Sequence, residues 1–250
     1  MNKTYTFDDF CAIIARLRAK DGCPWDREQT HASLRPCMME EAAELVSSIR
    51  ILEETNNPEN MIEELGDVLL QVVMHAQIAK EENLFAMDDV LTEVSKKMIR
   101  RHPHVFGTLK ADTSEKVLNN WEDIKKKEKE GKDWIENPLR EIPPELPALR
   151  RAEKVLKKID RQYEPQKGIE ASLDEIMQLC GELKEQYRSG SFDKENNGWR
   201  MEAEKQSEEN RMIRLLLALT RITSKRKLYA EQLLTDGLED LIRHYERKMY

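Results

Sequence analysis

The stretch from Leu65 to Ile78 limits the possible folds of this chain more than any other part of the sequence. Drawn as a helix, it carries apolar side chains on nearly every face. A helix of this kind is normally buried at the centre of a bundle. Glycine and proline are also scarce, at nine residues each in 250. We therefore predict an all-α protein in which a helix at about 58–82 occupies the centre of a bundle.

Other segments have the apolar spacing of amphipathic helices, and the high charged fraction of 36% suits their solvated outer faces. Ser33 and Asn57 are candidate N-caps, the latter followed by Pro58 at the first helical position. Asp88 or Asp89 is a further start signal. The predicted helices lie at about 7–20, 33–52, 88–101, 113–130, 148–160, 172–188, 199–225 and 229–248.

A cluster of prolines indicates the boundary between two domains. Four of them fall within ten residues, namely Pro138, Pro143, Pro144 and Pro147. Segments that connect domains are often rich in proline. We predict two helical bundles in tandem, with a first domain at 1–135, a linker at 136–147 and a second domain at 148–250.

The formal net charge of −7 bears on the possible partners. Nucleic-acid-binding proteins are usually basic, so we expect no nucleic-acid partner. A nucleotide substrate is still compatible with this charge, because a bound metal reverses the local sign. The cysteines form no CxxC pair, the first residues lack the apolar core of a signal peptide, and apolar stretches are too short to span a bilayer. We predict a cytoplasmic protein with reduced thiols and no membrane partner.

Two pairs of carboxylates stand out within the predicted helices. Glu41 and Glu44 lie in the helix at 33–52, and Glu64 and Asp67 lie in the next helix. A spacing of three residues puts both side chains of a pair on one helix face. With an antiparallel turn centred near residue 55, Glu41 faces Asp67, to within about 1.5–3 Å of helical rise. Glu44 faces Glu64 in the same way, so we expect the four carboxylates to converge.

Such a cluster has two interpretations. The simpler one is that the acids are solvated, and it suits the neighbouring Glu40 and Glu63. However, Asp67 begins the apolar stretch and is expected to be partly buried. Two carboxylates about 4 Å apart repel by roughly 4 kcal/mol at an effective dielectric constant near 20, and a cation cancels that cost. Ligands that are all oxygen suit Mg²⁺ or Mn²⁺ and not zinc.

The segment from Gly22 to Lys129 resembles the catalytic domain of the MazG family of nucleotide pyrophosphohydrolases. The matching pieces, in order along the chain, are GCPWDREQTHASLRP, EEAAE, EELGDVLLQVVMHA, KKMIRRHPHVFG and WEDIKKKEK. The resemblance implies an all-α bundle that forms a homodimer. It also implies hydrolysis of nucleoside triphosphates or deoxynucleoside triphosphates to the monophosphate and pyrophosphate.

The resemblance also implies roles for individual residues. The Mg²⁺ ligands would be Glu41, Glu44, Glu64 and Asp67. For the hydrolysis that this implies, our candidates for the general base are Glu41 and Glu44. The phosphates would be bound by the basic side chains of KKMIRR, and the nucleotide by residues of the following helix. These substrate-binding residues are Lys97, Arg101, Trp121 and Lys125.

The sequence leaves some of these roles open. Lys97 and Arg101 share a helix face, which fits phosphate binding but also fits a solvated basic surface. Trp121 could equally belong to the core. Trp25 could stack on a base or pack its loop against the bundle. We interpret the remaining candidates, His31, His75, His102 and His104, as structural residues, or at most as residues that contact a metal ligand without binding the metal.

The C-terminal half resembles a degenerate second copy of the same domain. GELKE at 181–185 keeps Glu182 and Glu185, but RMIRLLLALTRI at 211–222 places Arg211 and Arg214 where the first copy has Glu64 and Asp67. Two cations and two anions cannot enclose Mg²⁺, but they can form ion pairs. We therefore predict that this domain is not catalytic.

Taken together, these features predict a Mg²⁺-dependent nucleoside triphosphate pyrophosphohydrolase that removes non-standard or excess nucleotides. The chain has no GxxxxGK[ST] loop, which argues against a P-loop NTPase. Two alternatives stay open. The protein could be a pyrophosphohydrolase that is specific for one nucleotide, or a non-catalytic regulatory or interaction module with a vestigial site.

Overall fold

A computed structural model describes residues 3–109, 112–128, 137–163, 168–188 and 198–249. Within these ranges the regular structure is helical and contains no strand, which confirms the predicted all-α class. The chain divides into two compact units, Met1–Glu130 and Gly131–Tyr250. None of the described helices is long and apolar enough to cross a membrane.

The first unit is built around a helical hairpin. Its helices are α1 (Phe7–Arg18), α2 (Pro24–Glu28), α3 (Arg35–Thr55), α4 (Glu59–Glu81), α5 (Met87–Arg101), α6 (Pro103–Phe106) and α7 (Ser114–Lys127). The hairpin consists of α3 and α4, and α1 and α5 pack against α4. The DGCPWD segment, predicted only as a break after the first helix, contains the short helix α2, whose first residue is Pro24.

The core of this unit lies under the C-terminal half of α4. Val73, Met74 and Ile78 are buried there against Ile14 of α1 and Leu34 at the start of α3. All five side chains are at most 6% exposed. Burial of apolar surface is the main stabilising contribution, so this contact fixes α1 and the start of α3 on α4.

Arg18 anchors the end of α1 in the same region. Its side chain is only 6% exposed and forms an ion pair with Glu81 at 2.8 Å. The same guanidinium donates hydrogen bonds to the backbone carbonyls of Asp26 and Gln29, at 2.5 and 3.1 Å. One buried cation therefore connects α1, α2 and the end of α4.

The N-terminal half of α4 differs from the prediction. The sequence predicts that the whole stretch from Leu65 to Ile78 is buried, but Leu65 is 48% exposed and Leu69 is 38% exposed. Ile62, one turn earlier, is 67% exposed. The prediction is therefore wrong for the N-terminal half of α4 within a single chain. The buried contact with α1 involves the C-terminal half of α4, at Val73, Met74 and Ile78.

The second unit is also helical. It contains a 3-10 helix (Pro138–Glu141), α8 (Ala148–Gln162), α9 (Ile169–Arg188), α10 (Gly198–Lys225) and α11 (Ala230–Met249). α10 contacts α8, α9 and α11. Leu156, Leu179 and Ala218 are buried in this bundle. Ile142, within the segment predicted as a linker, is also buried.

Candidate functional site

A short turn between α3 and α4 brings the two acidic pairs to the same hairpin. Asn56 ends α3 in the left-handed conformation, with φ of 56°, and its N–H donates to the carbonyl of Leu52 at 2.8 Å. The side-chain oxygen of Asn57 accepts a hydrogen bond from the backbone N–H of Glu59 at 2.9 Å. These contacts satisfy backbone groups at both helix ends, so the chain reverses within three residues.

Three of the four predicted ligands come together across this hairpin. Glu41 of α3 and Glu64 and Asp67 of α4 each offer a carboxylate oxygen, and these oxygens lie within 4.8 Å of one another. All three residues are half-buried. Glu64 also accepts a hydrogen bond from the side-chain amide of Asn60 at 2.9 Å, which restrains its carboxylate. We refer to Glu41, Glu64 and Asp67 as the acidic trio.

The electrostatics of the acidic trio show the cost of this arrangement. Burial raises the pKa of Glu41, and the negative charges of Asp67, Glu44 and Glu64 raise it further. A raised carboxyl pKa means that the folded environment disfavours the charged form of the group. A cation bound among these oxygens would remove that penalty.

Glu44 occupies a different position from the other three. It is exposed and does not belong to the group of oxygens within 4.8 Å. Three residues turn a helix by about 300°, so its side chain leaves α3 about 60° away from that of Glu41. Its charge still acts on Glu41, which places it next to the acidic trio.

The donor atoms of the acidic trio fit a hard divalent cation. They are all carboxylate oxygens, which suit Mg²⁺ and Mn²⁺ and lack the sulfur or nitrogen typical of structural zinc sites. Within the part of the chain that the structure describes, no ion pair neutralises these three half-buried carboxylates, so a bound cation would supply the missing counter-charge. The residues present therefore fit a magnesium site.

The predicted phosphate-binding residues lie on α5. Lys97 is half-buried. Arg101 is also half-buried, and its guanidinium forms an ion pair with Glu128 at 2.5 Å. The sequence did not predict Glu128 as a partner, because it lies in a Lys/Glu-rich run that resembles a solvated surface.

The other predicted substrate-binding residues lie on α7. The ring of Trp121 is 5.3 Å from the Arg101 guanidinium and 4.9 Å from the ring of His102, so it packs against the end of α5. The side chain of Lys125 lies outside the described residues. Trp25, in contrast, is 73% exposed, so it does not pack its loop against this bundle.

Comparison with known proteins agrees with this geometry. Residues 29–106 match the MazG nucleotide pyrophosphohydrolase domain, a range that includes the acidic trio, Lys97 and Arg101. A nucleoside triphosphate pyrophosphohydrolase/pyrophosphatase MazG of Thermotoga maritima is 42% identical over 179 residues, which are 72% of this chain and 66% of that protein. The chain belongs to the MazG family.

Two further relatives show how far the similarity extends. A nucleoside triphosphate pyrophosphohydrolase of Escherichia coli K12 is 42% identical over 152 residues, or 60% of this chain and 56% of that protein. The uncharacterised protein YabN of Bacillus subtilis is 49% identical over 153 residues, or 61% of this chain and 30% of that protein. The chain therefore spans less than two thirds of the length of these relatives.

The second unit of this MazG-family chain has a different set of contacts at the corresponding positions. Arg211 of α10 forms an ion pair with Glu182 of α9 at 3.1 Å, as predicted. Arg214 pairs instead with Glu175 at 2.7 Å. Glu185, the other predicted partner, is 3.4 Å from Arg188 on its own helix. Ion pairs therefore occur where the first unit has the acidic trio.

Two histidines of the first unit form a contact that the sequence did not reveal. The Nδ1 atoms of His31 and His75 are 2.7 Å apart, and the two rings stack with centroids 5.0 Å apart. Burial and the charge of His31 lower the pKa of His75. The contact joins the segment before α3 to the core helix α4, so it supports the interpretation of both histidines as structural.

Proposed function

We propose that this protein hydrolyses nucleoside triphosphates to nucleoside monophosphate and pyrophosphate, in a reaction that depends on Mg²⁺ or Mn²⁺. The convergence of the acidic trio on one point is the observation that carries this proposal. The names of the relatives from Thermotoga maritima and Escherichia coli support the same activity.

The acidic trio and Glu44 would hold the metal. A bound Mg²⁺ supplies Lewis-acid chemistry, because it lowers the pKa of water and offsets phosphate charge. Glu41 or Glu44 would accept the proton of the attacking water. Glu44 stands outside the acidic trio and is exposed, so its carboxylate has lone pairs available for this step.

The basic residues would bind the triphosphate. α4 ends at Glu81 and α5 begins at Met87. Asp67 and Arg101 lie equally far in sequence from the midpoint of this connection, as do residues at the same level of an antiparallel helix pair. This spacing favours a triphosphate that reaches from the metal ligands to Arg101. Lys97, one turn before Arg101, would bind the same phosphates, because cations stabilise the charge of the leaving pyrophosphate. Trp121 and Lys125 would contact the rest of the nucleotide.

We also propose that the protein is a homodimer. Apolar side chains on the α3–α4 hairpin are exposed at helical spacing, including Val46 and Ile49 on α3 and Ile62, Leu65 and Leu69 on α4. Exposed apolar side chains that together form a patch commonly mark a protein–protein interface. A second copy covering this face would bury the half of α4 that is open in one chain.

One experiment tests the proposed reaction directly. The purified protein is incubated with a panel of NTPs and dNTPs, with Mg²⁺ and separately with EDTA, and the products are resolved by anion-exchange chromatography. Formation of the monophosphate and pyrophosphate only with metal is the expected result. The diphosphate and phosphate would show a different reaction.

Matched variants connect the activity to the site. Glu64→Gln is expected to abolish pyrophosphate release, whereas Glu63→Gln, which alters an exposed neighbour on the same helix, is expected to leave it unchanged. Equal rates for both variants would contradict the assignment of the metal site.

A non-catalytic module is the second candidate function. It is favoured by the ion pairs of the second unit, because the described part of that unit contains no acidic cluster like that of the first. Absence of product with every nucleotide would support it. A housekeeping role on non-standard nucleotides and a cytoplasmic location are further parts of our proposal, and the substrate panel tests the first of them.

A further inference from the structure

Arg101 is held from two sides by residues of the α7 region. Its Nε donates to both carboxylate oxygens of Glu128, at 3.3 and 3.1 Å, and its Nη2 donates to Oε2 at 2.5 Å. The ring of Trp121 lies 5.3 Å from the same guanidinium. The side chains of Arg101 and Glu128 are only 16% and 13% exposed, so this is a largely desolvated ion pair.

The contact with Glu128 uses one edge of the Arg101 guanidinium. Arginine presents its donors in a planar fork, and a carboxylate that binds Nε and Nη2 fixes the orientation of the whole plane. The hydrogen bonds to Glu128 are donated by Nε and Nη2, and Nη1 lies on the opposite edge. A phosphate can bind this second edge while the carboxylate holds the first.

Glu128 also offsets the charge between two neighbouring cations. Arg100 donates to Oε1 of Glu128 at 2.7 Å, so a single carboxylate binds adjacent guanidiniums. Hydrogen bonds from Arg101 and Arg100 lower the pKa of Glu128 to about 2, so it is charged throughout the physiological range. Without this carboxylate, the two cations would repel each other and Arg101 would lose its fixed orientation.

Glu128 is also well placed to act on α7. It directly follows the last residue of α7, and its backbone N–H donates to the carbonyl of Ile124 at 3.0 Å, which continues the helical turn. Trp121 precedes it by two helical turns on the same side. The carboxylate and the ring therefore hold the end of α5 against α7 at two points.

We propose that Glu128 is a positioning residue, which holds Arg101 in the orientation that binds the substrate phosphates. This inference rests on the proposed pyrophosphohydrolase function. Glu128 does not itself contact the substrate but acts through the guanidinium of Arg101.

Steady-state kinetics with the best substrate of the nucleotide panel test this role. Glu128→Gln keeps the size of the side chain but removes its charge, and we expect it to raise KM roughly tenfold, as for the loss of one hydrogen bond between charged groups. We expect kcat to change much less. Glu128→Asp keeps the charge and should recover part of the loss. Glu93→Gln, which removes an exposed ion pair with Lys96 on the same helix α5, is the matched control and should leave KM unchanged.

A double-mutant cycle distinguishes positioning from general stabilisation. Arg101→Lys removes the planar fork, so Glu128→Gln should have little further effect on KM in that background. Circular dichroism and thermal unfolding of each variant verify that it is folded. Additive effects on KM would overturn the inference, because they would show that Glu128 acts independently of Arg101.

The remaining outcomes are also decisive. A lower KM for Glu128→Gln would show that the carboxylate competes with phosphate for Arg101, and an unchanged KM would show that it has no role; either overturns the inference while the proposed function stands. A wild-type protein that releases no pyrophosphate would overturn the proposed function itself, and the inference with it.

Discussion

The two units of this chain use the same helical pairing to opposite electrostatic effect. In the first unit, α3 and α4 bring three carboxylates within 4.8 Å, and the pKa of Glu41 is raised by burial and by its acidic neighbours. In the second unit, α9 and α10 carry Glu182 next to Arg211, and hydrogen bonds from Gln178 and Arg211 lower the pKa of Glu182. An external cation would stabilise the first arrangement, whereas the second already contains a cation, Arg211.

The helical hairpin does not by itself determine what the site binds. Both hairpins are built from long helices with apolar faces, and the difference lies in a few side chains near the middle of each. Asp67 and Arg214 occupy corresponding positions in the two sequence motifs. A change of charge at such a position would convert the proposed cation site into an internal ion pair.

Catalysis is expected to show the largest difference between the units. Asp67→Asn should lower the rate of pyrophosphate release on the order of a hundredfold or more, because even outer-shell changes at metal sites cost up to that amount. The corresponding change in the second unit, Glu182→Gln, should leave the rate within a factor of about two to three of the wild type. A change of this size corresponds to roughly 0.5 kcal/mol, the margin within which effects at independent sites usually add. Measuring pyrophosphate for both variants tests the comparison, and an equal loss in both would contradict it.

Stabilisation by metal should be specific to the first unit. At a free Mg²⁺ concentration a hundredfold above Kd, a single site stabilises the folded state by about 2.7 kcal/mol. We expect differential scanning calorimetry to show a higher Tm with Mg²⁺ for the wild type but not for Asp67→Asn. A shift that persists in the variant would place the metal elsewhere.

The second unit could be given an acidic site by substitution. The double variant Arg211→Glu with Arg214→Asp restores the acidic pattern of the first unit, and we expect it to lower the Tm without metal, because the new carboxylates repel Glu182 and Glu175. Added Mg²⁺ should then recover part of the loss. A Tm that is insensitive to Mg²⁺ would show that the second hairpin lacks the geometry for a cation.

The smallest predicted effect concerns the metal-free protein. Replacing Glu41 and replacing Glu182 by glutamine should change the Tm in opposite directions. The folded-state pKa of Glu41 is raised, so its charge opposes folding once the pH exceeds its ordinary value, and Glu41→Gln should raise the Tm at pH 7. The folded-state pKa of Glu182 is lowered, so its charge favours folding above its ordinary value and this contribution is lost as the pH falls through the folded pKa. Glu182→Gln should therefore lower the Tm at pH 7.

The same pair can be compared across pH by thermal unfolding in EDTA. As the pH falls, Glu41 loses its charge first, because its folded-state pKa is raised, and Glu182 loses its charge only below its ordinary pKa. Each variant should approach the wild type as the carboxyl group that it replaces becomes protonated. Tm shifts of the same sign at pH 7 would contradict the electrostatic contrast between the units.

The sequence predicted the helices of the site because local signals determine them. Asn57 was expected to cap the helix that follows, and its side chain does accept the N–H of Glu59, although Pro58 occupies the cap position. Asp89 likewise accepts the N–H of Ala86 at the start of α5. The periodicity of acids and apolar residues then indicated which residues of α3 and α4 share a face.

Contacts between distant segments could not be predicted in this way. The pairing of Arg101 with Glu128 depends on how α7 packs on α5, and no local pattern determines that packing. The contact of His31 with His75 joins residues 44 apart in sequence. The exposure of Leu65 was missed for a related reason, since a helix that is apolar on every face does not reveal whether its cover comes from the same chain.

The anchor made by Arg18 has a consequence for the order of events during synthesis. Its carboxylate partner, Glu81, lies 63 residues further along the chain. The α3–α4 hairpin closes through a turn of three residues, which costs less entropy than closing the long loop to α1. α1 therefore cannot be fixed in place until residue 81 has left the ribosome, so the first helix to be synthesised waits for α4 before it is secured.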